Sequence, residues 1–168
     1  MGETTLYQFA RDSGAMIGAY PMPRTSEDRK LFMTSSGELW LAAVDGVHAL
    51  VQGIWEKRPV TPGYERRTVS AFLEASPGVI YVGVRDGIER WQGEEITYFG
   101  ASAGVSEDDA VYTICQTRNG DLWFGSFGSG VYRYDGTTFE RFDDTRGLTH
   151  HSVSNILEIS DGTLWLSY

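Results

Sequence analysis

Four short motifs recur in one phase along the chain: Gly37-Glu38-Leu39-Trp40, Gly78-Val79-Ile80-Tyr81, Gly120-Asp121-Leu122-Trp123 and Gly162-Thr163-Leu164-Trp165. Their glycines lie 41, 42 and 42 residues apart. A second set, Gly46-Val47, Gly87-Ile88 and Gly130-Val131, follows the first, and Leu6-Tyr7-Gln8-Phe9 aligns with Val131-Tyr132-Arg133-Tyr134 three periods later. A period of this length confines the chain to stacked copies of one supersecondary unit. No single copy can bury its apolar face alone, so neighbours must share a core.

Each unit reads as four short strands, A to D, with no helix. Strand B of the third unit is Leu122 to Ser126, strand C Val131 to Tyr134 and strand D Phe139 to Phe142, while strand A of the fourth is Ser152 to Ile159. These runs are rich in the β-branched and aromatic residues that suit a pleated surface. Asn119-Gly120, Asp135-Gly136 and Asp161-Gly162 provide the positive φ that tight hairpins need. The expected fold is all-β: a β-propeller of four-stranded antiparallel blades. One domain over 1–168 would hold blades at about 28–61, 67–100 and 109–143, and a closing blade made from 152–168 together with 4–21. That gives four blades per chain, one completed by the N-terminal and C-terminal strand pairs. The pairing could close a ring within one chain, or between two chains as an eight-bladed ring, and both remain open at this point.

Charge and size narrow the partners. The 168 residues are 41% hydrophobic, enough for one core. The net charge of −9 repels phosphate backbones, so no nucleic acid is expected. Apolar runs are too short for a membrane span, so this chain should not insert in a bilayer. One cysteine permits neither an internal disulfide nor a zinc site, and no cofactor or metal is expected.

The third repeat, Asn119-Gly120-Asp121-Leu122-Trp123-Phe124-Gly125-Ser126 followed by Gly130-Val131-Tyr132-Arg133-Tyr134-Asp135-Gly136, resembles the two-component regulator propeller repeat. Phe139, Phe142, Gly147-Leu148, Val153 and Ile156 continue that resemblance. It implies a periplasmic or extracellular sensor domain of a bacterial two-component regulator, often one responsive to carbohydrate. It also implies that Trp40, Trp123 and Trp165 pack between blades, and it carries over no catalytic or ligand-contacting residue. Met1-Gly2-Glu3-Thr4-Thr5 lacks the basic start and apolar run of a signal peptide. The end at Tyr168, straight after a strand, suggests a piece of a larger sensor or an engineered unit.

Familiar chemical motifs lack their contexts. Gly100-Ala101-Ser102-Ala103-Gly104 fits a nucleophile elbow, but that chemistry needs a strand before the serine and a helix after it. Here the segment joins strand D to strand A. Gly125, Gly128 and Gly130 have no following helix to cradle a phosphate. Cys115 falls in a slot shared with Phe32, Leu73 and Leu157, which reads as a buried, inert thiol. His48, on strand C, reads as structural.

In a propeller the D-to-A and B-to-C loops gather on one face, around the axis. The D-to-A loops here diverge while the strands repeat, which suits a scaffold whose loops individualise one surface. Candidate ligand-binding residues are Arg24, Glu27, Tyr64, Arg66, Arg67, Asp108, Asp109, His150 and His151. Tyr64 is suited to stack on a sugar ring and the polar groups to bond its hydroxyls. The leading functional reading is therefore a non-enzymatic sensor module for a small polar ligand or oligosaccharide. The alternative is a self-assembling or protein-interaction scaffold that associates through its terminal half-blades. A lyase or hydrolase would need an acid and base together, and only His150 and His151 offer themselves.

Overall fold

The computed structural model describes residues 4–23, 30–58 and 68–168. Among them are sixteen strands and two short 3-10 turns, at Ala101–Ala103 and Asp144–Arg146. Three antiparallel sheets have four strands each. The first holds β3 (Leu31–Met33), β4 (Leu39–Ala43), β5 (Gly46–Val51) and β6 (Ile54–Lys57). The second holds β7 (Val69–Ser76), β8 (Val79–Val84), β9 (Gly87–Gln92) and β10 (Glu95–Phe99). The third holds β11 (Val111–Gln116), β12 (Leu122–Ser126), β13 (Val131–Tyr134) and β14 (Phe139–Phe142). Each sheet is a simple meander in chain order, the topology expected when every connection is a short turn. Strands β12, β13 and β14 coincide with the runs expected from sequence.

Period-two alternation gives a sheet two faces, and where two of the four-stranded sheets adjoin, their facing sides are apolar. Trp40, Ala42, Val47 and Ala49 of the first sheet pack on Val69, Ile80, Val82, Val84 and Trp91 of the second. Phe32 stacks on Phe72, with centroids 5.4 Å apart, across the same junction. The next junction sets Tyr81 and Ile88 against Val111, Leu122, Phe124 and Tyr132. Large side chains sealed this way contribute about 1.5–3 kcal/mol each by burial alone. The core is thus a series of layers between sheets, giving a propeller-like stack.

Near the inner strands the backbones come close. A Cβ added at Gly125 would lie 2.6 Å from both the Val153 carbonyl oxygen and Thr113 Cγ2, so only glycine fits there. Carboxylates clamp adjacent sheets at the opposite end. The Ser35 N–H and hydroxyl donate to Glu74 at 2.5 and 2.8 Å, and the Gly78 N–H donates to it at 2.8 Å. The Arg118 N–H repeats the contact, donating to Glu158 at 3.0 Å.

The chain ends differ from this pattern. β1 (Thr5–Phe9) pairs with β2 (Met16–Pro21), and β15 (Asn155–Glu158) pairs with β16 (Leu164–Ser167). The two pairs stand as separate two-stranded sheets rather than as one four-stranded sheet. Trp40 is 2% exposed, as an inter-sheet tryptophan should be, but Trp165 in the same repeat slot is 63% exposed. The reason is positional: the second sheet packs over Trp40, whereas among the described residues no sheet is packed over Trp165 in the same way. Trp123 is half-buried and packs on Phe142, 5.2 Å away in its own sheet.

Candidate functional site

The start of β7, the end of β8, the start of β11 and the end of β12 converge on one face. Register dictates this: Val69 pairs with Val84, and Val111 with Ser126. A cleft of about 430 Å³ opens there, lined by Thr68, Val69, Ser70, Arg85, Asp108, Ala110, Tyr112 and Phe127. Arg85 and Phe127 occupy equivalent positions just after strand B, 42 residues apart. Ser70 and Tyr112 are equivalent on strand A by the same interval. Adjacent repeats thus present different chemistry at the same two slots.

The aromatic side of the cleft is built on fixed backbone. The Phe127 N–H donates to the Ala110 carbonyl at 3.0 Å, and the Ser152 hydroxyl donates to the Phe127 carbonyl. One residue earlier, Ser126 accepts from the Val153 N–H at 2.8 Å. The Phe127 side chain is nevertheless 62% exposed. Its ring meets Tyr112 edge to face, with centroids 5.9 Å apart and planes at 75°. An exposed aromatic corner on tethered backbone presents a ring face with the loop-ordering part of the binding cost reduced. In the same lining, Arg85 offers a fork of donors and Asp108 offers acceptors. Ser70 belongs to the scaffold, since its hydroxyl donates to the Val111 carbonyl at 2.5 Å.

Of the residues expected from sequence, Asp108 lines the cleft. Asp109, its neighbour, accepts a hydrogen bond from the Ser129 hydroxyl and holds the loop between β12 and β13. His150 stacks on Tyr168, with centroids 4.0 Å apart, away from the cleft lining. The His151 carbonyl accepts from the Gly130 N–H at 2.7 Å, and its ring lies near Asp143. Hydrogen bonds from Thr145, aided by Arg141 and His151, hold the Asp143 carboxyl below the usual carboxylate range. The two histidines therefore serve different contacts rather than a common site. Arg24, Glu27, Tyr64, Arg66 and Arg67 lie outside the described residues.

Other motifs resolve as structure. Ser102 sits in the Ala101–Ala103 turn, closed by left-handed Gly104, with no helix after it. His48 is buried, 2.9 Å from Asp45 through Nε2. Cys115 is half-buried rather than sealed in a core, because its face meets only a two-stranded sheet. Burial still pushes its thiol up. Among the described residues no group of three or more His, Cys, Asp or Glu is placed to hold a metal. No helix among them is long and apolar enough to cross a membrane.

Arg85, Tyr112 and Phe127 were not among the residues singled out from sequence. Their signal lies in the repeat itself: Val44, Arg85 and Phe127 share one slot, and Ser70, Tyr112 and Ser154 another. Packing slots keep their apolar character from repeat to repeat, whereas these two change chemical class.

Residues 106–128 match the family model of the two component regulator propeller, a span that includes Asp108, Tyr112 and Phe127. No curated protein matches. Among solved structures, the extracellular domain of the one component system BT4673 from B. thetaiotaomicron superposes with a TM-score of 0.76 at 17% identity, over 96% of this chain and 23% of that one. The extracellular domain of the hybrid two component system BT3049 from the same organism gives 0.76 at 20% identity, over 98% and 24%. The chain spans about a quarter of the length of these structures, and the likeness is one of fold.

Proposed function

We propose that this chain, which carries a two component regulator propeller repeat at residues 106–128, is a non-enzymatic sensor-type propeller module that works outside the cytoplasm. Its ligand is an oligosaccharide or another small polar molecule, taken up in the cleft between the second and third sheets. The observation that carries this reading is the exposed Tyr112–Phe127 corner facing the same cleft as Arg85 and Asp108. Sugar rings present C–H faces that stack on aromatic faces and hydroxyls that both donate and accept. A cleft with two rings, a guanidinium and a carboxylate matches both demands. Likeness in fold to extracellular domains of Bacteroides sensor systems supports the location and the role. A catalytic reading finds less: the lining serine is committed to the Gly83 and Val111 carbonyls, and among the described residues no histidine or cysteine lines the cleft.

The test is calorimetric titration with neutral and uronate-containing oligosaccharides. Saturable binding is expected, weakened at least about tenfold by Tyr112→Ala with the fold unchanged. Failure of every sugar in both classes to bind would overturn the carbohydrate reading.

A further inference from the structure

Two equivalent cavities open between sheets at the end that carries the carboxylate clamps, opposite the Tyr112–Phe127 cleft. The one between the first and second sheets has a volume of about 120 Å³. Its apolar lining is Trp40, Ile80 and Trp91, and Tyr81, Leu122 and Tyr134 take their places between the second and third sheets. The polar slots do not repeat in this way. Thr34, Glu38 and Arg58 also line the first cavity, and 41 residues on the same slots hold Ala75, Val79 and Phe99. Phe99 fills its slot by packing, 5.6 Å from Tyr134 and 5.2 Å from Phe139. Phe142 holds that slot in the third sheet. Of the three four-stranded sheets, only the first places a cation there.

A cation in an apolar packing slot needs a partner, because burial strips away its water. Arg58 finds none within the fold. Its Nε is buried with no hydrogen-bond partner among the described residues, and its guanidinium lies over the Trp40 ring at 4.9 Å. Glu38 and Glu74 border the same cavity but lie beyond the 4.0 Å of an ion pair with it. Glu74 is already engaged by the Ser35 and Gly78 N–H groups. Glu38 accepts the Trp40 indole N–H at 3.3 Å through one oxygen, which leaves the other for a donor from outside. A plain anion drawn to Arg58 would meet two carboxylates, and a plain cation drawn to Glu38 would meet the guanidinium. A molecule carrying both charges a few bonds apart satisfies both sides.

We propose that this cavity binds a small α-amino acid, with its carboxylate on the Arg58 fork, its ammonium on Glu38, and its Cα and short side chain against Trp40, Ile80 and Trp91. Guanidinium and carboxylate match as a bidentate, charge-assisted pair. Volume sets the size of the ligand: 120 Å³ is the liquid share of about four waters, too little for a ring-bearing side chain. The site is separate from the sugar cleft, and either can fail without the other.

The test is an NMR titration of the chain with glycine, L-alanine and L-serine, beside acetate and methylammonium, which carry one charge each. The Trp40 and Trp91 indole N–H signals report from the cavity itself. Saturable shifts of both are expected with at least one of the three amino acids, with acetate and methylammonium at least about tenfold weaker. Arg58→Phe installs the residue of the equivalent slots, so it should keep the fold and the Tm while weakening binding at least about tenfold. Glu38→Gln tests the other end without touching the packing and should weaken binding about threefold or more. Indole signals unmoved by all three amino acids would overturn the proposal, as would acetate binding as tightly as glycine. Unchanged binding by the folded Arg58→Phe chain would make Arg58 a packing residue alone and overturn it as well.

Discussion

Replacing Trp40 and Trp165 by alanine, one at a time, separates what the repeat position contributes from what the neighbouring sheet contributes. The two residues share a slot and a local motif. Trp40 lies 5.8 Å from Trp91 and 6.3 Å from Phe72 across the junction, and 6.1 Å from Phe32 in its own sheet. The Arg58 guanidinium sits over its ring at 4.9 Å, and its indole N–H donates to Glu38 at 3.3 Å. Truncating so enclosed a tryptophan costs about 3–5 kcal/mol. Trp165 keeps only about a third of its surface covered, so its loss costs about 1 kcal/mol or less. For a domain of this length the first substitution should lower the Tm by about 6–20 °C and the second by no more than about 4 °C. Urea and thermal unfolding followed by far-UV circular dichroism measure both without relying on the fluorophore removed. Equal losses at the two sites would refute the reasoning, because stability would then come from contacts inside each sheet rather than between sheets.

Gly125→Ala should cost about 1–3 kcal/mol in thermal unfolding, since its Cβ would meet the Val153 carbonyl at 2.6 Å; a neutral change would mean that the inner strands are free to separate. Glu74 accepts from the Gly78 and Ser35 N–H groups, which hold its carboxyl below the 4.5 of an unconstrained glutamate. The folded state is then the more ionised one, so this stabilisation is full above pH 4.5 and is lost as pH falls through the lower folded value. Glu74→Gln should flatten the fall in urea midpoint below that pH, and an unchanged slope would contradict the clamp. Burial raises the Cys115 thiol, so alkylation at neutral pH should run more slowly than in the unfolded chain. Equal rates would place that side chain in open solvent.

Local turn chemistry explains why so much of the fold was legible. Asn119-Gly120 and Asp135-Gly136 fix where β12 and β14 begin, so Leu122–Ser126 and Phe139–Phe142 have the bounds expected from sequence. Strand A of the fourth repeat is shorter than expected, at Asn155–Glu158. Ser152 and Val153 spend their hydrogen bonds on Phe127 and Ser126 instead. The exposure of Trp165 was not legible, because burial depends on a neighbouring sheet, and none is packed over it among the described residues as one is over Trp40. Tyr112 was hidden for another reason: within its strand it alternates like any β residue, and only comparison with Ser70 and Ser154 marks it out. Phe127 lies in a glycine-rich connection that reads as turn, although its neighbours tie that turn down. Asp109 shows that residue type at a loop does not decide function, since Ser129 engages the carboxylate for structure.

Amide shift mapping by NMR during titration with an oligosaccharide that binds is the most direct check on the cleft. Saturable shifts confined to residues around Thr68–Ser70, Arg85, Asp108–Tyr112 and Phe127 are expected, and Phe127→Ala should abolish them while leaving the remaining spectrum in place. Saturable shifts centred elsewhere, or an unchanged titration of the Phe127→Ala protein, would contradict the assignment of the binding site to this cleft.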